Sequence, residues 1–197
     1  MQPLQEDFWD YCYLYNMAGW DIGMLPPAIK DYLDTISDIH AAILIPACGR
    51  AYEAHYLAER GFDNVTLLDI STVLIKELKQ TFKGKPVNVL HGDFFNHDGK
   101  YDLIIEQAFF CTVPPEDRGH FINHLHGLLN DGGRYAGLFF NELVGHRDKP
   151  PFTLDIEGYR ALFSGVFEVA RISPCAQSID SRKEKEIFFE FVKKSQD

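Results

Sequence analysis

The residues whose types and spacing could do chemistry begin with Gly49 and Asp69. Gly49 lies in a break at 46–51 that follows the apolar run 41–45, and Asp69 ends a second apolar run 20 residues after Gly49. In α/β proteins, an acidic residue at about this distance beyond a glycine turn reaches the hydroxyl groups of a bound ribose. The pair therefore predicts a site for an adenosine-containing cofactor, and its spacing fits nicotinamide cofactors and S-adenosylmethionine alike.

The composition of the turn separates these cofactors. A dinucleotide site needs the pattern G-x-G-x-x-G, so that backbone amides can approach a pyrophosphate. Here Gly49 is the only glycine of the turn, and Ala47 and Ala51 carry methyl groups that would crowd a phosphate. S-adenosylmethionine has no phosphate, so the turn favours this cofactor. Two alternatives stay open: a nicotinamide-dependent oxidoreductase, and a structural turn in which Asp69 only caps a helix.

Two further acidic residues end later apolar stretches. Asp93 ends the stretch that begins at residue 87, and Glu106 lies at the carboxyl end of the next one. In an adenosyl site, Asp93 could accept a hydrogen bond from the adenine amino group, with Phe94 alongside the base. The alternative is an Asp that only forms a turn.

Arg118 opens the helix that follows the fourth apolar stretch. Its guanidinium and the positive N-terminal end of that helix would favour an anionic acceptor close to a sulfonium ion. The alternative is a surface arginine paired with Glu116 or Asp117.

Residues 6–20 hold an unusual concentration of aromatic side chains, including both tryptophans of the chain, Trp9 and Trp20. One interpretation is a helix that docks on the sheet through an apolar stripe. That stripe would consist of Phe8, Tyr11, Cys12 and Tyr15. The other is a lid, because a cation over the face of an aromatic ring is attracted by the ring quadrupole.

The elements that must position these residues alternate between strand and helix. We predict strands at 41–45, 65–69, 87–95, 100–110, 134–141, 166–172 and 186–194. We predict helices at 28–35, 52–60, 71–81, 114–130 and 156–163, and a polar loop at 145–151. This order indicates a doubly wound, mostly parallel seven-stranded α/β sheet with helices on both faces, whose last two strands can pair antiparallel. We expect a single domain, 1–197, with a cover segment at 1–40 and the α/β core at 41–197.

Composition disfavours several classes of function. The chain has 197 residues, of which 46% are hydrophobic and 24% charged, and a net charge of −10. Nucleic-acid binding independent of sequence depends on Lys and Arg, so this charge disfavours it, and it also disfavours anionic membranes. Because no apolar run reaches transmembrane length and the first residues lack a signal-peptide pattern, we expect a cytoplasmic protein.

Metal binding is not expected. The four cysteines stand far apart and form no C-x-x-C pair. His120 and His124 have the i, i+4 spacing that can chelate a metal from one helix face, but the sequence offers no evident third ligand. A solvated helix face is the expectation.

The ordered motifs of the chain resemble one family. They are Phe8-Trp9-x-x-Cys12-Tyr13, Gly19-Trp20-Asp21-Ile22-Gly23, Ile45-Pro46-Ala47-Cys48-Gly49, Leu68-Asp69-Ile70-Ser71, Gly92-Asp93-Phe94-Phe95, Tyr101-Asp102-Leu103-Ile104, Phe109-Phe110-Cys111-Thr112-Val113-x-Pro115-x-x-Arg118, Leu128-Leu129-x-x-Gly132-Gly133 and Pro150-Pro151-Phe152. In order and spacing they look like a class I S-adenosylmethionine-dependent methyltransferase of the thiopurine S-methyltransferase family, in its thiol and halide methyltransferase branch. The resemblance runs from about Phe8 to Phe191. It implies a Rossmann-like fold with an N-terminal aromatic helical cover.

The resemblance also implies roles for individual residues. The cofactor-binding residues would be Trp9, Tyr13, Trp20, Ala47, Cys48, Gly49, Asp69, Ile70, Asp93, Phe94, Phe95, Glu106 and Phe109. Ala47 to Gly49 would line the methionine part of the cofactor, and Asp69 would bind the ribose. Arg118 and Tyr13 would be the catalytic residues. The chain departs from the family turn P-G-C-G-x-G at Ala47 and Ala51, and Tyr13 stands where many members have tryptophan.

The implied reaction is transfer of a methyl group from S-adenosylmethionine, by direct displacement, to a small sulfur nucleophile (a thiol, sulfide or thiopurine) or to a halide. S-adenosylhomocysteine would be the product. The expected partner is a small-molecule methyl acceptor, with no nucleic acid and no membrane. We expect a monomer and leave an oligomer open. A non-catalytic protein that keeps the methyltransferase fold is a further alternative.

Overall fold

The computed structural model describes residues 5–141, 144 and 149–194. Residues 145–148 of the predicted polar loop lie outside the described residues. The strands are β1 (Ile43–Pro46), β2 (Val65–Asp69), β3 (Val87–His91), β4 (Tyr101–Gln107), β5 (Leu129–Phe140), β6 (Phe167–Pro174) and β7 (Glu186–Lys193). The α-helices are α1 (Glu6–Leu14), α2 (Pro27–Asp34), α3 (Tyr52–Glu59), α4 (Thr72–Thr81), α5 (Arg118–Leu128) and α6 (Ile156–Phe163).

All seven of these strands form one sheet in the order β3-β2-β1-β4-β5-β7-β6. The five strands from β3 to β5 are parallel, and β7 runs antiparallel to both of its neighbours. This confirms the predicted doubly wound, mostly parallel sheet and the antiparallel pairing of the last two strands.

The central strands place the glycine turn beside the first acidic residue. Every residue of β1 and β2 is buried, as expected for parallel strands covered on both faces. Their register pairs Ile43 with Val65 and Pro46 with Leu68. The turn that follows Pro46 and the carboxylate of Asp69 therefore lie at the same edge of the sheet.

Helices cover both faces of the sheet. One core cluster packs β-strand residues such as Ile43 and Leu67 against α2, α3 and α4. The other packs alternate residues of the same strands, such as Leu44 and Leu68, against α5 and α6. Because side chains alternate across a strand, these two clusters lie on opposite faces. None of the helices within the described residues is long and apolar enough to cross a membrane.

Local signals placed several element ends correctly. The Ser71 side chain accepts a hydrogen bond from the Leu74 backbone N–H at 3.1 Å, which confirms Ser71 as the N-cap of α4. Gly61 follows α3 with a φ of 87°, the left-handed conformation predicted for a glycine that ends a helix.

Two predicted boundaries are wrong. The helix predicted to end at the glycine pair ends instead at Leu128, and β5 runs through Asp131, Gly132 and Gly133. A Cβ on Gly133 would lie 2.7 Å from the Asn130 carbonyl oxygen, so this pair makes a close backbone approach at an irregularity of the strand, and no helix end. The third strand ends at His91, so the acidic residue predicted to end it lies in the following turn.

Candidate functional site

The turn after β1 holds three residues in the left-handed region of backbone space. Ala47, Gly49 and Ala51 have φ angles of 46°, 50° and 54°. Glycine adopts this region without strain, whereas a residue with a Cβ loses about 1–2 kcal/mol there. The two alanines therefore keep the backbone path of a glycine-rich turn at some cost in strain.

Asp69 joins this turn to the next one. Its carboxylate accepts hydrogen bonds from the backbone N–H groups of Gly49 at 3.2 Å and Ser71 at 3.0 Å. Burial raises the pKa of Asp69 to about 6, and the hydrogen bonds from backbone N–H groups partly oppose that rise. The carboxylate thus holds the glycine turn, which is a structural role beside the predicted ribose contact.

Helix α1 docks at the start of α4, next to this carboxylate. The Asp10 side chain accepts hydrogen bonds from the Ser71 hydroxyl at 2.5 Å and from the Val73 backbone N–H at 3.1 Å. The N-terminal segment is therefore anchored at the edge of the sheet where the turns meet.

Three of the predicted cover residues come together over the glycine turn. The Tyr13 hydroxyl oxygen lies 3.5 Å from the point that a Cβ on Gly49 would occupy. The Trp20 ring contacts Trp9 edge to face at 5.1 Å and Tyr13 at 6.1 Å between ring centroids. Burial, followed by the charge of Asp69, raises the pKa of Tyr13 well above its usual range, so its hydroxyl stays protonated.

The alternative interpretation of this segment, a helix docked through an apolar stripe, is wrong for three of its four residues. Cys12 is the only buried residue of α1, while Phe8, Tyr11 and Tyr15 are 44%, 51% and 64% exposed. Tyr13 and Trp20, which are partly covered, line the cavity at the glycine turn.

A cavity of about 50 Å³ lies between the cover and the turn. Its lining consists of Tyr13, Trp20, Asp21, Ile22, Ile45, Pro46, Ala47, Cys48, Gly49, Arg50, Tyr52, Glu53 and Gln107. Five of these residues were not predicted from the sequence as site residues: Asp21, Arg50, Tyr52, Glu53 and Gln107. Gln107 ends a central strand at its carboxyl end, and this position was the available signal for it.

Glu106 supports the turn after β4. Its carboxylate accepts hydrogen bonds from the Phe109 backbone N–H at 2.6 Å, the Phe110 backbone N–H at 3.3 Å and the Tyr135 hydroxyl at 2.8 Å. Burial raises the pKa of Glu106 to about 7. Glu106 shapes the wall from which its neighbour Gln107 lines the cavity.

The residues predicted to hold the adenine lie around a short 3-10 turn, Phe94–Asn96. Asp93 accepts a hydrogen bond from the Phe95 backbone N–H at 3.0 Å, so its turn-forming role is present. The Phe94 ring is buried and packs against Phe109 at 5.3 Å between ring centroids. The carbonyl oxygen of Ile70 lies 2.9 Å from the His91 Nε2 atom. Contacts of these side chains with adenine stay predictions.

Arg118 is not the surface arginine of the alternative interpretation, because it is only 7% exposed. One Nη atom donates to the Phe152 carbonyl oxygen at 3.1 Å, and the guanidinium lies 5.5 Å from the Phe110 ring centroid. Its Nε atom is buried and has no hydrogen-bond partner within the described part of the chain. A buried cation with a free donor suits an anionic ligand.

A second arginine lies in the same region. Arg182 is 8% exposed and donates to the Trp20 carbonyl oxygen at 2.5 Å and to Glu186 at 3.2 Å. Burial and the charge of Glu106 raise the pKa of the Cys111 thiol, while Arg182 and Arg118 oppose that rise. Both guanidinium groups therefore lie near the buried Cys111 thiol. Of the two arginines, only Arg118 was predicted from the sequence as a site residue.

The predicted histidine pair, His120 and His124, packs against the 3-10 turn Phe94–Asn96. The His120 ring stacks on Phe95 at 4.9 Å, and the His124 ring meets Phe94 edge-on at 5.0 Å. Within residues 5–141, 144 and 149–194, no group of three or more His, Cys, Asp or Glu residues is arranged to hold a metal ion.

The lining of the cavity fits the methionine part of S-adenosylmethionine. The Gln107 amide nitrogen is buried without a partner in the described structure, and the lining also contains the buried carboxyl group of Glu53. Aromatic rings of the cover lie beside them, where they can face a sulfonium ion.

Comparison with known proteins gives one consistent family. A model of the family described as Thiopurine S-methyltransferase (TPMT) matches residues 4–195. Thiocyanate methyltransferase 1 of Arabidopsis thaliana is 26% identical over 194 residues, which cover 94% of this chain and 84% of that protein. Thiopurine S-methyltransferase of Vibrio campbellii is 28% identical over 180 residues, covering 81% and 82% of the two chains.

Solved structures show the same fold. The 1,6-didemethyltoxoflavin-N1-methyltransferase of Burkholderia thailandensis, solved with S-adenosylhomocysteine, superposes with a TM-score of 0.76 at 17% identity. The match covers 96% of this chain and 87% of that one. At this identity the likeness establishes the class I methyltransferase fold and nothing about the acceptor.

Proposed function

The chain belongs to the thiopurine S-methyltransferase family and is an S-adenosylmethionine-dependent methyltransferase, and from this premise we propose that its acceptor is a small anion, either a sulfur nucleophile or a halide. The nicotinamide-dependent alternative is thereby wrong. Sulfur acceptors agree with the names of the relatives, among them a thiocyanate methyltransferase, a probable thiol methyltransferase and a thiopurine S-methyltransferase.

The observation that carries the anionic acceptor is the burial of Arg118 with an unpaired Nε atom. A guanidinium removed from water with a free donor gains most from an anion that it can bind directly. Arg182 adds a second positive charge near Cys111. A thiolate, hydrosulfide, thiocyanate or halide would be held by charge, without a shape-specific pocket.

The reaction needs little acid or base from the protein. When bound, the cofactor supplies a methyl group on a positively charged sulfur; the acceptor's lone pair forms the new bond to that carbon while the electrons of the breaking bond return to the sulfur. Tyr13 and Trp20 cover the site and exclude water, and Arg118 places the acceptor. Positioning and water exclusion then supply most of the rate.

The experiment that tests this acceptor class is a competition among acceptors at fixed S-adenosylmethionine. Thiocyanate, hydrosulfide, iodide, a thiopurine and a neutral thioether would be supplied to the purified protein, and methylated products measured by mass spectrometry. We expect kcat/KM to be highest for an anion. A neutral thioether that is methylated best would contradict the proposal.

We further propose that the chain works as one domain, with residues 1–40 as a cover over the core at 41–197. Support comes from the Asp10 contacts with α4 and the Tyr13 position over the turn. Deleting the cover should raise the cofactor dissociation constant while the core stays folded. Loss of folding on deletion would mean that residues 1–40 belong to the core.

We propose, finally, a cytoplasmic monomer that acts on small molecules and binds no nucleic acid. The four cysteines are all free, which suits a reducing compartment, and the net charge of −10 repels phosphates. Sedimentation velocity tests the oligomeric state, and a stable dimer at micromolar concentration would contradict it.

A further inference from the structure

Helix α1 carries the cover residues Trp9 and Tyr13, yet it buries little apolar surface. Within residues 6–14, Cys12 is the only buried residue, and the Tyr11 side chain is 51% exposed. Packing of an apolar face is the usual source of stability for a docked helix. Because α1 has little such packing, it needs polar contacts to stay over the glycine turn.

The first polar contact is made by Asp10 at the N-terminal end of α4. Its carboxylate accepts hydrogen bonds from the Ser71 hydroxyl at 2.5 Å and from the Val73 backbone N–H at 3.1 Å. Ser71 is fully buried, which shields its side of this contact from water. Helix α4 has no acidic residue in its own first turn, so a carboxylate from another helix complements the positive end of its dipole.

A second carboxylate, Glu6, lies four residues before Asp10 and therefore on the same side of α1. It accepts a hydrogen bond from the Thr72 hydroxyl at 2.5 Å and lies 3.6 Å from the His91 Nε2 atom. The Glu6 and His91 side chains are 40% and 41% exposed. Since water weakens contacts between exposed charged groups, Asp10 contributes more than Glu6 to the attachment of α1.

Ser71 connects this attachment to the edge of the sheet where the turns meet. Its backbone N–H donates to one carboxylate oxygen of Asp69 at 3.0 Å, and the other oxygen accepts from the Gly49 backbone N–H at 3.2 Å. A continuous chain of hydrogen bonds therefore joins Asp10 on the cover to the turn beneath it. The cover and the turn are thus fixed through one serine.

The cover has another attachment beyond α1. Asp21 accepts hydrogen bonds from Arg50 Nε at 3.1 Å and from the Tyr52 hydroxyl at 3.0 Å. These two partners lie in the turn after β1 and at the start of α3. Loss of the Asp10 contact would therefore release α1, with Tyr13, while the Asp21 end of the cover stays bound.

We propose that Asp10 is a positioning residue, whose contact with Ser71 attaches α1 to α4 and thereby holds Tyr13 over the turn after β1. This inference rests on the proposed function, in which the N-terminal segment covers the site. If the attached cover favours cofactor binding, the bound cofactor favours the attachment by the same factor. Because the contact is a hydrogen bond to a charged group, we expect a factor of about ten, which corresponds to about 1.4 kcal/mol.

Tryptophan fluorescence and calorimetry test this role. Trp9 and Trp20 are the only tryptophans of the chain, so the fluorescence reports on the cover alone. Acrylamide should quench Asp10→Ala more strongly than the wild type, because release of α1 exposes Trp9. Saturating S-adenosylhomocysteine should reduce this difference, since it favours the attached state. Calorimetry should give a dissociation constant for S-adenosylhomocysteine about tenfold higher in Asp10→Ala.

Three further variants test whether the effect belongs to Asp10. Asp7→Ala is the matched control, because it removes the same charge from an exposed position of the same helix and should leave quenching and affinity unchanged. Glu6→Ala should weaken binding less than Asp10→Ala. Asp10→Asn keeps an acceptor oxygen and loses the charge, so its affinity should lie between those of the wild type and Asp10→Ala.

The outcomes separate this inference from the proposed function. A folded wild type that does not bind S-adenosylhomocysteine contradicts both. If the wild type binds it, equal affinity of Asp10→Ala overturns the inference alone, and so does a weaker Asp10→Ala whose quenching equals that of the wild type. Circular dichroism melting curves check that each variant is folded. Should Asp10→Ala fail to fold, the same two measurements on Asp10→Asn decide the question.

Discussion

Arg118 is the residue that most directly links burial to acceptor choice. Its guanidinium is held between the Phe152 carbonyl and the Phe110 ring, away from water. We expect Arg118→Met to lower kcat/KM for an anionic acceptor about 10- to 100-fold, because a charged hydrogen bond is lost. Cofactor affinity should change little.

Steady-state kinetics with thiocyanate and with a neutral thioether checks this prediction. Arg118→Lys is the control, since it keeps the charge and loses only the planar fork of donors. Equal losses for the charged and the neutral acceptor would show that Arg118 only supports the fold.

Asp69 is the second test at this scale, because the structure gives it a turn-holding role beside the predicted ribose contact. Asp69→Ala should weaken S-adenosylhomocysteine binding by about 1–3 kcal/mol if the carboxylate accepts from ribose hydroxyls. The loss should be smaller for the 2′-deoxy analogue, which lacks one of those hydroxyls. Calorimetry with both ligands measures these losses. Identical losses of affinity for the two ligands would show that Asp69 holds the turn and does not contact the ribose.

The sequence identifies site residues by their type and spacing. These predictions were correct where a local motif determines the position of the residue. The Gly49 and Asp69 pair does lie at one edge of the sheet, with a hydrogen bond between them. Gln107 was missed because its significance comes from burial and from a missing hydrogen-bond partner, which only the packed structure reveals.

At the scale of elements, β5 approaches β4 closely at Gly137, which pairs with Glu106. A Cβ on Gly137 would lie 2.0 Å from the Glu106 carbonyl oxygen, and the φ of Gly137 is 154°. Gly137→Ala should therefore force the two strands apart and lower the free energy of unfolding by about 3 kcal/mol. Chemical denaturation measures this, with Gly165→Ala as the control, because nothing lies within 4 Å of a Cβ there. Similar small losses for both would mean that β4 and β5 separate easily.

Element boundaries were predictable where strong local signals agreed. The bounds predicted for 65–69 and 156–163 are those of β2 and α6, since each is bounded by clear polar or capping residues. The start of β5 was missed because Gly132 and Gly133 resemble a helix end, whereas pairing with β4 makes them part of a strand. Tertiary pairing overrode the local signal.

The whole molecule carries buried acids that make its stability depend on pH. Burial raises the pKa of Glu53 and Glu106 to about 7 and of Asp69 to about 6. The unfolded chain loses these protons near pH 4, so between about pH 4 and 7 the folded state binds more of them and its stability falls as pH rises. His55, His97 and His126, whose pKa values burial lowers, act in the opposite direction below about pH 6.5.

A comparison of two proteins isolates the acidic contribution. Glu53→Gln should match the wild type in stability near pH 4 and exceed it by about 3 kcal/mol at pH 8, because the variant has no buried charge to form. Urea denaturation across this pH range is the measurement. A constant difference at every pH would show that Glu53 does not titrate with a raised pKa.

The central claim, that this chain transfers a methyl group from S-adenosylmethionine to a small anion, is tested most directly by a single turnover. Enzyme in excess over S-adenosylmethionine with a trideuterated methyl group would be mixed with thiocyanate or hydrosulfide, and the products followed by mass spectrometry. The account predicts one equivalent of S-adenosylhomocysteine and the deuterated methyl group on the sulfur acceptor. A folded enzyme that binds the cofactor but leaves the label on it with every sulfur nucleophile and halide would contradict the account.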